Sequence, residues 1–282
     1  MKLLARTLAQ LKTLTRNRFN LVSVVTLAII FIAGAVGPFI MRFSPTDADP
    51  EHRLLAPSGT HFFGTDELGR DIFTRIIYGT KISVGIALIA ILLAAVVGTF
   101  IGANSGFIGK WFDQFIMRST DVLLAFPTLV LALALAAALG ASIVNAAIAI
   151  AVVKVPIYIR LARNQALSIA ERLYVKSART NGLKTFWIVR RHIVPNLITP
   201  IVVQVSLDIG DAILLIATLG FLGLGAQAPT PEWGAMISTG WNYLINQWWY
   251  PTFTGAAIFI TVMAFNILGD GVRDLLDPKV AE

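Results

Sequence analysis

Long stretches without a single charged residue constrain this chain more than any other feature. Residues 20–41 carry no charge over 22 positions. About 20 apolar residues, each rising 1.5 Å along a helix, cross a bilayer core of about 30 Å. A signal peptide is the alternative, but its apolar region is only about 7–15 residues long. The stretch therefore predicts an uncleaved first membrane span.

Further runs that are uncharged or nearly so occupy 82–107, 122–153, 197–233 and 241–269. The second of these is too long for one tilted helix, and a Gly-Ala-Ser turn at 140–142 divides it. The pattern predicts an all-α integral membrane protein with about six transmembrane helices. The predicted spans are 20–42, 81–104, 119–139, 143–163, 197–221 and 251–271. Only 14% of the residues are charged, against about 25% in soluble domains, so we expect lipid to cover much of the surface.

Basic residues predict the direction of the spans. They favour the cytoplasmic side, and an arrangement with both termini in the cytoplasm places 17 of the 23 there. All six tryptophans then fall near an interface, as an aromatic belt requires. The predicted organisation is a cytoplasmic amphipathic helix at 1–19, a first transmembrane helix at 20–42, an extracytoplasmic loop at 43–80, a five-helix core at 81–271 that includes a cytoplasmic loop at 164–196, and a cytoplasmic tail at 272–282.

Several kinds of chemistry lack the residues they need. The chain has no cysteine, which excludes disulfides and thiolate ligands. His52, His61 and His192 are scattered, and although two of them share one predicted loop, we expect no metal site. The best phosphate-loop candidate fails, because Asn104 and Trp111 stand where glycine and a hydroxyl residue are needed. We therefore predict a non-catalytic membrane protein without its own cofactor, and attribute the net charge of +7 to topology rather than to nucleic-acid binding.

Three charged residues lie inside predicted spans. Lys154 is in the fourth span, and Asp208 and Asp211 are in the fifth, three apart and so on one helix face. Charges within a membrane are costly and mark functional positions by default. We predict that Lys154 pairs with one of the two aspartates, and we favour a structural ion pair over a proton relay.

The longest basic segment between spans predicts a compact structure. A capping box predicts a helix that starts at Ser168, and Gly182 follows as a left-handed C-cap. A second short helix is expected from about Thr185 until Pro195 stops it. We call residues 168–195 the knob. It suits rigid docking of a soluble partner, the alternative being a solvated basic loop.

The knob resembles the EAA motif of bacterial ABC importer permeases, roughly EAA-x3-G with a closing I-x-P. The matching residues are Ala178, Gly182, Ile193 and Pro195, while Lys176 and Ser177 replace the usual Glu and first Ala. In that family the loop is the coupling helix that inserts into a groove on the ATPase subunit. The resemblance therefore implies that these six positions couple the chain to an ATPase.

Three other segments are similar to the dipeptide, oligopeptide and nickel permease group. Residues 63–71, which we call the corner, match the GTDxxGRD segment of that group through Gly64, Thr65, Asp66, Gly69, Arg70 and Asp71. Residues 220–234 resemble its FLGLG…PxPEWG segment, and 266–278 its closing stretch. From the residues alone, the charges of the corner indicate a capped, ion-paired bend. The glycine run that opens 220–234 indicates close helix packing followed by a turn.

The resemblance implies a type I ABC importer permease fold in the bacterial inner membrane. It implies a heterodimer with a second permease, two cytoplasmic ATPases that bind ATP and magnesium, and an extracytoplasmic substrate-binding protein. Transport would proceed by alternating access, driven through the knob. The cargo stays open between dipeptides, oligopeptides, glutathione and nickel or other metal chelates. From a different class, the alternative is a proton-coupled secondary transporter that uses Lys154, Asp208 and Asp211.

Overall fold

The computed structural model describes residues 17–276, and this part of the chain consists of helices joined by loops. Most of the expected N-terminal helix at 1–19, and the end of the tail at 272–282, lie outside the described residues. Five helices are long and apolar enough to cross a membrane, and a bent pair of shorter helices raises the number to as many as six. The all-α membrane fold predicted from the sequence is confirmed.

The helices, in chain order, are α1 Arg18–Ile40, a 3₁₀ turn Pro50–His52, α2 Ile72–Ile108, α3 Lys110–Leu124, α4 Thr128–Leu139, α5 Ile143–Ala170, α6 Leu173–Thr180, α7 Thr185–Ile188, a π-helical turn Val189–Ile193, α8 Val194–Phe221, α9 Trp233–Trp241 and α10 Trp249–Leu276. The elements α7, the π turn and α8 form one continuous helix, Thr185–Phe221. That helix and α1, α2, α5 and α10 are the five candidate membrane spans.

The second span begins earlier than hydrophobicity predicts. α2 starts at Ile72 rather than at residue 81. The Asp71 side chain accepts a hydrogen bond from the backbone amide of Thr74 at 2.8 Å and so caps the first turn. The helix therefore includes the last part of the loop predicted at 43–80. The predicted boundary was wrong because Arg75, a charge that interrupts the apolar run, is buried inside the helix bundle.

The third predicted span, 119–139, is not a single helix. α3 and α4 meet at an angle of 93°. Pro127 stands at the break, where its ring disfavours helical backbone at the preceding residue and it donates no backbone hydrogen bond. α4 has 12 residues and a length of about 18 Å, which is too short to cross a bilayer core of about 30 Å.

α2 and α5 are the most extensively packed pair of helices. Gly98, Gly102 and Gly106 recur every four residues along α2 and face α5. A Cβ atom added at any of them would press against the α5 backbone. Small residues at this spacing allow two membrane helices to approach closely, so this pair forms the centre of the bundle.

The other long helices surround this pair. α8 packs against α2, α5 and α10, and α1 lies against α2 and α10. Phe31 of α1 meets Phe265 of α10 edge to face, with ring centroids 6.2 Å apart. Large apolar side chains such as Ile29, Leu93 and Val96 are exposed on the outer faces, as expected where lipid tails are the solvent.

Candidate transport and coupling sites

The knob contains two short helices on either side of a glycine turn, but its first helix starts later than predicted. α5 continues through Ser168 and ends at Ala170, so the capping-box prediction was wrong. The capping-box pattern falls within a helix that began far upstream, and Glu171 ends that helix. Gly182 has φ +78°, the left-handed conformation expected of a C-cap glycine.

The second helix of the knob does not stop at Pro195. The π turn leads directly into α8, whose second residue is Pro195. Pro195 comes just after the π turn, which departs locally from α-helical hydrogen bonding, so the N–H that proline lacks falls where the regular i→i−4 pattern is already interrupted. As a result, the knob and a membrane span share one continuous helix, Thr185–Phe221.

One side of the knob anchors it and the other side is exposed. Val175 and Ile193 are buried against the ends of α2, α5 and α8. Leu173 is 83% exposed, and Tyr174 and Trp187 are also exposed. An exposed apolar surface on a helical protrusion is typical of a docking surface for a protein partner.

The six residues assigned to ATPase coupling differ in their exposure. Lys176, Ser177, Gly182 and Pro195 are exposed, Ala178 is half-buried and Ile193 is buried. The Lys176 ammonium lies 2.7 Å from the Glu171 carboxylate. This hydrogen bond and the positive charge of Lys176 lower the pKa of Glu171. Ile193 therefore packs the knob onto the spans, while the other positions lie at or near its surface.

Lys154 contacts both aspartates rather than one. Its Nζ lies 3.1 Å from Asp208 Oδ1 and also donates a hydrogen bond to Asp211 Oδ2. Gln204 Nε2 donates to the second oxygen of Asp208 at 3.1 Å. The side chains of Lys154 and Asp208 are buried, whereas that of Asp211 is 53% exposed. We call Lys154, Asp208 and Asp211 the triad.

The triad lies deep in the bundle. Lys154 comes eleven residues after Ile143, where α5 begins, and Asp211 comes ten residues before Phe221, where α8 ends. At 1.5 Å per residue both lie about 15 Å from the same end of the bundle. Since a bilayer core is about 30 Å thick, the triad is near mid-depth.

The corner (63–71) is a closed network of buried charges. Asp66 is fully buried, and its carboxylate accepts hydrogen bonds from Arg70 Nε at 2.7 Å and from the amides of Leu68 and Arg70 at 2.9 Å. Arg75 Nε lies 3.4 Å from the same carboxylate. Arg70 also donates to Glu67 at 3.1 Å. Each of these buried charges therefore lies beside a charge of opposite sign, without which its burial would be strongly unfavourable.

The other motif residues of the corner determine its backbone conformation and cap the helix that follows. Gly64 and Gly69 have φ +75° and +80°, which L-residues with a side chain rarely adopt. Thr65 Oγ1 accepts a hydrogen bond from the Leu55 amide at 2.8 Å, and Asp71 caps α2. The six motif residues therefore form a structural unit at the start of α2.

His61 belongs to this unit. Its Nδ1 lies 3.0 Å from Asp71 Oδ1, and its ring centroid is 6.0 Å from that of His52. Over residues 17–276, no group of three or more His, Cys, Asp or Glu residues is arranged to hold a metal ion. The two histidines of the predicted loop are therefore neighbours, and their rings pack against each other.

Glu232 is a buried helix-capping residue that sequence reasoning did not single out, although it lies in the 220–234 motif. It is fully buried and caps α9 by accepting hydrogen bonds from the amides of Gly234 and Ala235, both at 2.8 Å. Ser83 of α2 donates to it at 3.3 Å. A Cβ atom at Gly220 would collide with its carboxylate. Burial raises the pKa of Glu232, and these hydrogen bonds oppose the rise.

The same motif joins three helices at one end of the bundle. Trp233 Nε1 donates to the backbone carbonyl of Ile76 in α2 at 3.0 Å. A Cβ atom at Gly234 would collide with the backbone of Ala217 in α8. Gly223, with φ +79°, turns the chain between α8 and this contact. The PEWG segment is therefore the point where α9 docks onto α2 and α8.

Two family models match the chain. The binding-protein-dependent transport system inner membrane component matches residues 95–282, and the N-terminal TM domain of oligopeptide transport permease C matches residues 9–57. The first of these covers more than half of the chain. It spans α3 to α10 and therefore the knob and the triad.

Similar proteins agree with these models. A probable D,D-dipeptide transport system permease of Escherichia coli is 48% identical over 91% of this chain and 86% of its own length. A dipeptide transport system permease of Alkalihalophilus pseudofirmus is 43% identical over 95% and 88%. A glutathione transport system permease of Pectobacterium atrosepticum is 44% identical over 79% and 74%. The chain therefore belongs to the inner membrane components of binding-protein-dependent transport systems, as an ABC importer permease of the dipeptide and oligopeptide group.

Proposed function

We propose that this chain is one of two permease subunits through which short peptides cross the inner membrane, driven by ATPases that dock on the knob. One observation carries the proposal: the helix Thr185–Phe221 runs unbroken from the exposed knob to the triad at mid-depth. A movement imposed on the knob therefore displaces a membrane span as a rigid unit. Family membership favours this class of transporter over a proton-coupled one.

The proposal places the knob and both chain ends in the cytoplasm. The positive-inside tendency supports this orientation, because the knob is rich in basic residues such as Arg172, Arg179 and Arg190. The corner and the 220–234 motif then lie at the extracytoplasmic end. The corner and the loop before it are available there to a substrate-binding protein.

Partner subunits supply the chemistry that this chain lacks. The exposed apolar residues Leu173, Tyr174 and Trp187 form the proposed contact with an ATPase, which binds ATP and magnesium. A second permease completes the channel. Peptide cargo is supported by the similar permeases, which belong to D,D-dipeptide, dipeptide and glutathione transport systems.

Reconstitution tests the proposal. The chain is placed in proteoliposomes with its second permease and its ATPases, and uptake of a labelled dipeptide is measured with the binding protein outside and ATP inside. We expect uptake that requires every component and that stops when the phosphate-loop lysine of the ATPase is replaced. Uptake by this chain alone under a proton gradient, without ATP, would contradict the proposal.

A further inference from the structure

Asp211 is the accessible member of the triad. Its side chain is 53% exposed, whereas those of Lys154 and Asp208 are 4% and 9% exposed. One Asp211 oxygen, Oδ2, accepts a hydrogen bond from Lys154. Within residues 17–276, no hydrogen bond reaches its other oxygen. The carboxylate therefore presents an unused acceptor at mid-depth in the bundle.

The charges of the triad do not balance. Two carboxylates and one ammonium group leave one net negative charge, and Asp211 is the more exposed of the two carboxylates. A carboxylate that faces hydrocarbon is strongly unfavourable, so ionisable residues at this depth face the bundle interior or a water-filled cavity. Asp211 should therefore lie on a face of α8 that is turned away from lipid.

The buried side of the triad contains a spare hydrogen-bond donor. Tyr158 is fully buried on α5, one helical turn after Lys154, and its hydroxyl has no hydrogen-bond partner in the described part of the chain. Gln204 already donates to Asp208. Asp208 therefore keeps the hydrogen bond from Gln204 if Lys154 shifts away from it. A second cation at Asp211 therefore leaves no buried carboxylate without a partner.

We propose that Asp211 receives the ammonium group at the amino terminus of the peptide as the peptide crosses the membrane. This inference rests on the peptide importer function proposed above. Peptides of different side chains share this ammonium group, which makes a charge-assisted hydrogen bond with a carboxylate. Lys154 competes for the same carboxylate and acts as a positioning residue. The competition keeps binding weak enough for release, as conduction requires.

The test uses the complete transporter in proteoliposomes with three forms of this chain: Asp211→Asn, Asp211→Glu and, as a matched control, Asp274→Asn. Asp274 is an exposed aspartate on α10, away from the triad. Initial uptake of a labelled dipeptide, recovery of the assembled complex and binding-protein-stimulated ATP hydrolysis are measured for each. We expect Asp211→Asn to lower uptake about tenfold, the equivalent of one charged hydrogen bond, with assembly and hydrolysis unchanged. Asp211→Glu restores most of the uptake, and the control transports normally.

Other outcomes overturn the inference in recognisable ways. Loss of the complex in Asp211→Asn means that Asp211 pairs with a basic residue of the second permease. Loss of ATP hydrolysis together with uptake means that its role is structural. Unchanged uptake removes the ammonium site altogether. If the unmodified transporter imports no peptide, the proposed function fails first, and the cargo assignment at Asp211 fails with it.

Discussion

The corner and the knob use their polar residues in opposite ways. In the corner, Asp66 and Arg70 are buried and paired with each other, and Arg75 of α2 is buried beside the same carboxylate. In the knob, both side chains of the Lys176–Glu171 ion pair are exposed, and so is the apolar side chain of Leu173. The corner therefore stabilises this chain itself, whereas the knob presents a surface for another protein.

The difference follows from how each segment is tied to the bundle. The corner is held by side chains from elsewhere, since Tyr250 of α10 donates to Glu67 at 2.5 Å and Arg75 of α2 reaches Asp66. The knob is held mainly by apolar residues such as Val175 and Ile193. Replacement of a polar residue should therefore harm folding in the corner and harm partner binding in the knob.

The largest effect is expected from Asp66→Ala. The substitution leaves Arg70 and Arg75 buried without their shared carboxylate, and removal of one partner from a buried ion pair costs about 3–5 kcal/mol. We expect little protein in the membrane and a strongly lowered unfolding temperature of the purified complex. Asp47→Ala, which removes an exposed carboxylate in the preceding loop, is the control. An Asp66→Ala protein as stable as this control would show that the corner is not a stabilising network.

The next prediction compares one substitution in the knob with one in the corner. Leu173→Asp in the knob should leave the unfolding temperature unchanged, because the residue is 83% exposed. It should weaken association with the ATPase about tenfold, as removal of a contact residue does at many interfaces. Leu68→Asp in the corner, at a position 44% exposed, is the matched control and should keep full association. Co-purification of the ATPase measures both. Equal loss in the two variants would remove the knob from the interface.

A smaller effect concerns Glu232, a buried charge outside the corner. Its raised pKa means that protonation favours the folded state. The stabilisation is complete below the ordinary glutamate value of 4.5 and is lost as pH rises through the folded-state pKa. We expect the unfolding temperature of the complex to fall as the pH rises from the ordinary glutamate pKa through the folded-state pKa of Glu232. In the Glu232→Gln variant this fall should be absent.

The cost of Glu232→Gln itself should be small. Gln keeps one oxygen for the α9 cap, so the loss at neutral pH should be about 1 kcal/mol or less. Glu51→Gln, at an exposed glutamate, is the control and should keep the pH dependence of the parent. If Glu232→Gln also keeps it, burial of this carboxyl does not control the pH response.

The first span was predictable because an uncharged run of bilayer length is sufficient to define it. α1 was placed within two residues at each end. The capping-box and proline patterns were less reliable predictors of helix ends, because the same residues also occur inside helices. The pattern at Ser168 occurs here inside a helix, and so does Pro195, which comes just after a π turn. Neither setting is visible in a short window of sequence.

Contacts between distant segments were the least predictable part of the site. The link of Glu232 to Ser83 and Gly220 depends on how α2, α8 and α9 pack. Lys154 was matched to the face of α8 that carries both aspartates, since depth follows from residue counts. Its simultaneous contact with both depends on side-chain conformation. Sequence thus indicates which residues are at the same depth, and packing decides which of them meet.

The smallest effect is expected from Lys176→Met in the knob. The ion pair it removes is exposed, so water and salt screen it. The lowered pKa of Glu171 means that the pair favours folding above the ordinary glutamate value and loses this effect as pH falls through the folded-state pKa. Because the pair is exposed, we expect no measurable change in unfolding temperature between Lys176→Met and the parent at neutral or acidic pH. A clear fall at neutral pH would mean that the knob, like the corner, depends on its own charges for folding.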